Sequence, residues 1–262
     1  MKKCSFLGAG NMASAIIGGM HDRQVCVYDV NAKQYEKFKD TSCRIAQSAP
    51  EAVLWGDYVF LCVKPQNFSE LLCTLRDSGC DLTGKVFVSI AAGISTAAVC
   101  RYLGRDVPVI RTMPNTPLLI GQGVTALSRN QWVSDADFAD VTALFAACGA
   151  TFPLPEDKMN AVIAATSTAP AYVYLLISAI AEEAARQGVD GENMTQMIAH
   201  MVSGAAQMVL QSGKTPQELI TMVKSPNGTT ERALQTLQDE DFTGVLSRAM
   251  QACTARAEEL GK

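Results

Sequence analysis

The chain has 262 residues, of which 48% are hydrophobic and 18% charged, and its net charge is -4. That is enough apolar material for one large domain or two moderate ones with real cores. No cluster of Lys and Arg stands out, which argues against a nucleic-acid or anionic-membrane surface. Nine cysteines are scattered singly with no C-x-x-C pair, the pattern of reduced, mostly buried thiols in a cytoplasmic protein.

The first half alternates between strand and helix. "KCSFLGAG" reads as a strand running into a glycine turn, "NMASAIIGGM" as a helix, "QVCVYDV" as a strand and "NAKQYEKFKD" as a helix. "DYVFLCV" is an apolar strand, "NFSELLCTLRD" a helix, "KVFVSIAAG" a strand, "STAAVCRYLG" a helix and "VPVIRTMPN" a strand. A last short strand, "GVTALS", and a helix around "DADFADVTALFAACG" complete the pattern. Near-continuous apolar strands alternating with helices predict a mostly parallel sheet covered on both faces, an α/β Rossmann domain.

"TFPLP", Thr151 to Pro155, punctuates the chain, and beyond it the periodicity is only helical. The expected organisation is a dinucleotide-binding domain over residues 1–154 and an all-α domain over 155–262. The predicted helices cover roughly Glu156–Ala165, Pro170–Gln187, Glu192–Gln211, Pro216–Val223, Thr229–Gln238 and Gly244–Leu260. From Ala161 to Ala181 no residue is charged, a length of about 20 that imitates a membrane span. Thr166-Ser167-Thr168 and Pro170 interrupt it and Glu182-Glu183 follow at once, so it is read as a helix buried in a helical core or a subunit interface.

"FLGAGNMASAI" carries Gly8-x-Gly10-x-x-Ala13 directly between a strand and a helix. Gly8 permits a tight turn, Gly10 lets backbone approach a pyrophosphate, and Ala13 lets the helix pack closely on the strand. The free N–H groups of the helix start then face the anion. Asp29 ends the second strand about 20 residues on, where a carboxylate takes the ribose 2′-hydroxyl. It repels a 2′-phosphate, which favours NADH. If NADPH binds, Asn31, Lys33 or a shift of this loop must accommodate the phosphate.

Only two histidines occur, His21 and His200, and neither adjoins a candidate loop. This weakens a dehydrogenase acting on an alcohol, which needs a positioned base. A cationic imine needs less: a hydride donor and a pocket for orientation. Three loops at the carboxyl edge of the expected sheet are set for a ligand: "CVKPQNF" with Lys64-Pro65, "SIAAGIS" with Ala91, Ala92 and Gly93, and "RTMPNTP" with Asn115. Near the C-terminus "VKSPNGTTERAL" breaks one helix and opens another with unusual turn chemistry and many exposed N–H groups. No metal-ligand cluster is apparent.

The ordered set "GAGNMA", "VKP", "SIAAG", "MPNTP", "STAPAYVY" and "SPNGTT" closely resembles the pyrroline-5-carboxylate reductase family, along essentially the whole chain. The resemblance implies a Rossmann domain followed by a helical domain that forms an interlocked homodimer, often assembled into a homodecamer. It implies reduction of 1-pyrroline-5-carboxylate to L-proline with NADPH or NADH, the last step of proline synthesis. It assigns Gly8, Gly10, Asn11, Met12 and Ala13 to the pyrophosphate, and Val63, Lys64, Pro65, Ala91, Ala92 and Gly93, with Asn115 nearby, to the nicotinamide side. Thr230 corresponds to the family threonine that hydrogen-bonds the ring nitrogen, and the loop Ser225, Asn227, Gly228 and Thr229 receives the substrate carboxylate. Departures are "DVN" after the second strand, Thr166 to Thr168 in place of a glycine-containing segment, and Asn227 in place of a glycine, a residue that tolerates positive φ. The competing readings are a β-hydroxyacid dehydrogenase, for which Lys158 in "PEDKMNAVIAA" lacks the expected preceding glycines, and a cofactor-binding regulatory protein without turnover.

Overall fold

The computed structural model describes residues 1–189 and 191–261. Strand β1 (Cys4–Leu7) runs into helix α1 (Asn11–Gly18), and β2 (Val25–Tyr28) into a 3₁₀ helix over Ala32–Phe38. A two-residue strand β3 (Arg44–Ile45) and helix α2 (Ala49–Trp55) come next, then β4 (Tyr58–Leu61), α3 (Phe68–Asp77), β5 (Val86–Ser89), α4 (Thr96–Leu103) and β6 (Val109–Met113). β7 (Gly123–Arg129), α5 (Asp135–Ala146) and β8 (Gly149–Pro153) finish the sheet. The helical part follows: α6 (Met159–Val162), a π turn over Ile163–Ser167, α7 (Ala169–Arg186), α8 (Met194–Gln211), α9 (Pro216–Val223), α10 (Thr229–Asp239) and α11 (Phe242–Leu260).

The eight strands lie in the order β3-β2-β1-β4-β5-β6-β7-β8. Every neighbouring pair is parallel except β6 and β7. The connection from Met113 to Gly123 is too short for a crossover, so β7 must return antiparallel. The chain moves outward from β1 to β3 and restarts on the other side of β1 with β4. The switch point therefore lies between β1 and β4, where open sheets of this kind bind ligands at their carboxyl edge.

Alternation along the strands builds two cores. Phe6, Tyr58 and Phe60 point to the face covered by α1 and α5, while Leu7, Val59 and Leu61 point to the face covered by α2, α3 and α4. Phe6 and Phe60 stack with ring centroids 4.4 Å apart. Burial on both faces is why these strands read as continuous apolar runs.

Several elements differ from the expected ones or were not expected, among them the short strand β3. The segment after β2 is a 3₁₀ helix rather than an α-helix. α2 is a seven-residue helix capped by the Ser48 hydroxyl, which accepts from the Glu51 N–H, and is too short to show a period. "TFPLP" is not punctuation alone: Gly149–Pro153 forms β8, parallel to β7 at the sheet's edge, where Pro is tolerated.

The contacts divide the chain into two compact units, one comprising Met1–Pro170 with the segment from Ala252 onward, the other Ala171–Gln251. In the second unit Ile198 is the only buried residue among those described. The apolar helix expected to be buried is not buried in its own chain: α7 holds no buried residue, and Leu175 is 71% exposed. Among the described residues one helical run, Glu156–Arg186, is long and apolar enough to cross a membrane by length and composition.

Candidate active site

The first unit brings the predicted cofactor residues to one edge of the sheet. Gly8 leaves β1 with φ +100°, and a Cβ there would lie 2.7 Å from the carbonyl carbon and oxygen of Cys62 and 2.9 Å from the Val63 nitrogen. Two chain segments thus cross at the switch point with room only for glycine. Gly10 is different: it is extended, and a Cβ would meet nothing within 4 Å. The protein does not require a glycine there, but a group occupying the open space in front of it would. Gly10 is also the N-cap of α1, and no side chain caps that helix. An uncapped helix start facing open space fits a pyrophosphate. Ala13 is fully buried, Met12 packs against the α1 face of the core, and Asn11 stays exposed.

Asp29 has work inside the protein. Its Oδ2 accepts from the Ala9 N–H at 2.8 Å and its Oδ1 from the Asn31 N–H at 2.8 Å, while the Tyr35 hydroxyl donates to its carbonyl at 2.7 Å. The carboxylate clips the phosphate turn to the end of β2. The next helix is capped by Asn31, whose side chain accepts from the Lys33 N–H.

Beyond β4, Val63 and Lys64 lead into a 3₁₀ turn opened by Pro65. Beyond β5, Ala91 is buried and Ala92 half-buried. Gly93 has φ +80°, and a Cβ on it would sit 2.1 Å from the carbonyl oxygen of Ala257 in α11. Its small size is thus required by the C-terminal helix, independently of any ligand at this edge. Asn115, beyond β6, is 7% exposed, and its amide is engaged internally: Oδ1 accepts from the Val124 N–H at 2.8 Å and Nδ2 donates to the Thr166 carbonyl at 3.1 Å. That carbonyl belongs to the π turn, a local geometry that often marks functional segments.

A polar cluster not foreseen from sequence underlies these loops. Glu156 accepts from both the backbone N–H and the hydroxyl of Thr96, each at 2.7 Å, and so holds the start of α4 just after Gly93. Arg111, 3% exposed, donates to Asn160 Oδ1 at 2.6 Å and lies 3.9 Å from Glu156. Burial pulls its guanidinium below its usual value, with Glu156 opposing. Only the three-dimensional return of Glu156 and Asn160 onto β6 and α4 reveals this arrangement.

In the second unit the loop from Ser225 forms the mouth of α10. Asn227 has φ +56°, and the Gly228 N–H closes the turn onto the Ser225 carbonyl at 3.0 Å. Gly228 is the N-cap, without any side-chain cap, and a Cβ there would collide with Ser225 Oγ at 2.1 Å. Thr229 and Thr230 open the helix, Thr230 half-buried. Glu231 reaches back to accept from the Asn227 N–H at 2.7 Å, while Lys224 lies 3.0 Å from its other oxygen and holds its carboxyl below the usual range. Glu231 at the third helical position was a readable signal for this brace.

The remaining candidates lie elsewhere. His21 and His200 are exposed, and Lys158 is exposed and paired with Asp157 at 2.9 Å. An open groove of about 640 Å³ runs along α4 past Arg101 and Trp132 and includes none of the predicted site residues. No cluster of metal-ligating side chains is present among the described residues.

An uncapped glycine turn at the switch point of a mostly parallel sheet, with a separate helical unit, defines a dinucleotide-binding protein of two-part architecture. Residues 156–260 match the family described as pyrroline-5-carboxylate reductase dimerisation, and residues 3–93 match that described as NADP oxidoreductase, coenzyme F420-dependent. The pyrroline-5-carboxylate reductase of Escherichia coli is 34% identical, aligned over 100% of this chain and 99% of its own. That of Pseudomonas aeruginosa is 35% identical over 99% of this chain and 97% of its own. Among solved structures, the Streptococcus pyogenes enzyme superposes with a TM-score of 0.91 at 29% identity, covering 98% of each chain. The Plasmodium falciparum pyrroline carboxylate reductase with NADP bound gives 0.90 at 25% identity, covering 100% of this chain and 98% of its own. The chain belongs to the pyrroline-5-carboxylate reductase family.

Proposed function

We propose that the chain reduces 1-pyrroline-5-carboxylate to L-proline with NADPH or NADH. The observation that carries this reading is the bare start of α10. Gly228 at the N-cap leaves the first N–H groups of α10 without a side-chain cap, and the turn through Asn227 at positive φ presents them at the loop. Such a mouth accepts a carboxylate, and its dipole favours the negative charge.

The bound dinucleotide supplies hydride from its nicotinamide. Gly8, Gly10, Asn11, Met12 and Ala13 hold its pyrophosphate, and Asp29 and Asn31 border the adenosine. Val63, Lys64, Pro65, Ala91 and Ala92 shape the nicotinamide side, with Gly93 and Asn115 fixing the loops from behind. Ser225, Asn227, Gly228 and Thr229 receive the substrate carboxylate. The Thr230 hydroxyl orients the ring nitrogen. A threonine hydroxyl is too weak an acid at neutral pH to do more than position and relay a proton.

Residues 1–154 act as the cofactor domain and 155–262 as the dimerisation and substrate-binding part. The exposed apolar surface of α7 and α8 supports a homodimer, since a helical unit with one buried residue among those described has no core of its own. Dimers assemble further into a homodecamer. The composition supports a cytoplasmic enzyme acting on a small molecule, without nucleic-acid or membrane partners. The deciding assay follows NADPH and NADH oxidation with pyrroline-5-carboxylate against a panel of hydroxy- and keto-acids. Turnover confined to the imine supports the reading, and no oxidation with the imine refutes it.

A further inference from the structure

The adenosine side of the phosphate turn carries a cation that none of the roles above uses. Lys37 reaches from the 3₁₀ helix after β2 to the start of α1, where its ammonium donates to Asn11 Oδ1 at 2.9 Å and to Gln34 Oε1 at 2.7 Å. Both partners are neutral, and Lys37 forms no ion pair among the described residues. On the same element Glu36 pairs with Lys39, and Asn31 caps the helix by accepting from the Lys33 backbone N–H, whereas Lys37 is the lysine whose ammonium is held to the phosphate turn.

The 3₁₀ geometry produces this placement. With three residues per turn, positions three apart eclipse one another, so Gln34 and Lys37 form one column. An α-helix over the same residues would rotate Lys37 away from that column by about 60°. The column stands opposite Asn11, beside Asp29. In Rossmann proteins the adenosine ribose lies between the phosphate turn and the residue that ends β2. Both oxygens of Asp29 accept backbone N–H groups, from Ala9 and Asn31, so its carboxylate is fixed against the phosphate turn, and a neighbouring cation is what can offset its repulsion of a 2′-phosphate.

We propose that Lys37, positioned by Asn11 and Gln34, takes the 2′-phosphate of NADPH and sets the cofactor preference in place of an arginine directly after β2. The proposal rests on the cofactor reading given above. A lysine ammonium against a phosphate makes a charge-assisted hydrogen bond, whose loss weakens binding on the order of 10- to 100-fold.

The test uses the full-length enzyme, Lys37→Met and the conservative Lys37→Arg. Calorimetry measures binding of adenosine 2′,5′-bisphosphate and of adenosine 5′-monophosphate, and steady-state assays give kcat/KM for NADPH and NADH. In Lys37→Met, affinity for the bisphosphate and kcat/KM for NADPH should each fall about tenfold or more, while the monophosphate and NADH values stay within about twofold. Lys37→Arg should recover most of the loss. Equal losses for both cofactors, or none for either, overturn the proposal. Lys37-dependent binding of the bisphosphate without imine turnover in the wild type would uphold it and refute the proposed reaction instead.

Discussion

Removing the Glu156 carboxylate tests whether the polar cluster under the loops is a structural clamp. In Glu156→Ala, Thr96 loses two acceptors at 2.7 Å, and Thr96 is only 4% exposed. Each buried donor left without a partner costs about 1–3 kcal/mol. Arg111, 3% exposed, loses its nearby carboxylate, and breaking a buried pair costs about 3–5 kcal/mol when contact is close. Here the separation is 3.9 Å and the Glu156 side chain is 30% exposed, so the lower ends apply, about 1 kcal/mol for each Thr96 donor and about 3 kcal/mol for Arg111, and the whole substitution should cost about 5 kcal/mol. For a chain of this size that is a fall in Tm of roughly 10 °C. Glu156→Gln keeps a carbonyl acceptor for the Thr96 N–H and should lose about 1 kcal/mol. The assay is thermal unfolding followed by circular dichroism at one fixed protein concentration, because oligomerisation contributes to stability. Because Thr96 opens α4 just after Gly93, the alanine variant should also raise KM for the cofactor. A drop of less than about 2 °C for Glu156→Ala, or equal drops for both variants, would refute the reasoning.

Gly8→Ala should abolish cofactor binding and destabilise the fold, since a positive φ costs about 1–3 kcal/mol before the clash with Cys62 is counted; retained dinucleotide affinity by calorimetry would contradict it. Thr230→Ala should lower kcat/KM by about tenfold or more, the worth of one positioned hydrogen bond. Wild-type turnover would remove Thr230 from its role. Burial pushes the Cys4 thiol up to about 12 and the Cys26 thiol to about 11 from 9.0. Because the folded state holds these protons more tightly, the associated stability is complete below pH 9.0 and is lost as pH rises toward those values. Urea midpoints should therefore fall above pH 9, and at pH 8 iodoacetamide should label Cys4 and Cys26 only after unfolding.

Much of this protein could be read from local chemistry. The glycine turn, the apolar strands and the α10 entrance announce themselves because a turn with positive φ, a strand buried on both faces and an uncapped helix start each restrict residue type within a few positions. Glu231 bracing Asn227 was within reach of the same reasoning, as a glutamate at a helix's third position.

Other features were decided only when distant segments met. Gly93 is a glycine because Ala257 approaches it, and nothing within a few residues of Gly93 encodes that collision. Asn115 and Asp29 carry polar side chains that a ligand could use, yet the fold engages them with Thr166 and Val124, and with Ala9 and Asn31. β8 and the Arg111–Glu156 cluster depend on pairing across the sheet, which a local pattern cannot specify. The sequence by itself determined the class of fold and the anion-binding turns, because these rest on short-range backbone rules, while the family followed from the resemblance of its ordered motifs. The tertiary structure decided which polar groups remain free for a ligand, because a hydrogen-bonding group's availability depends on every neighbour that can reach it.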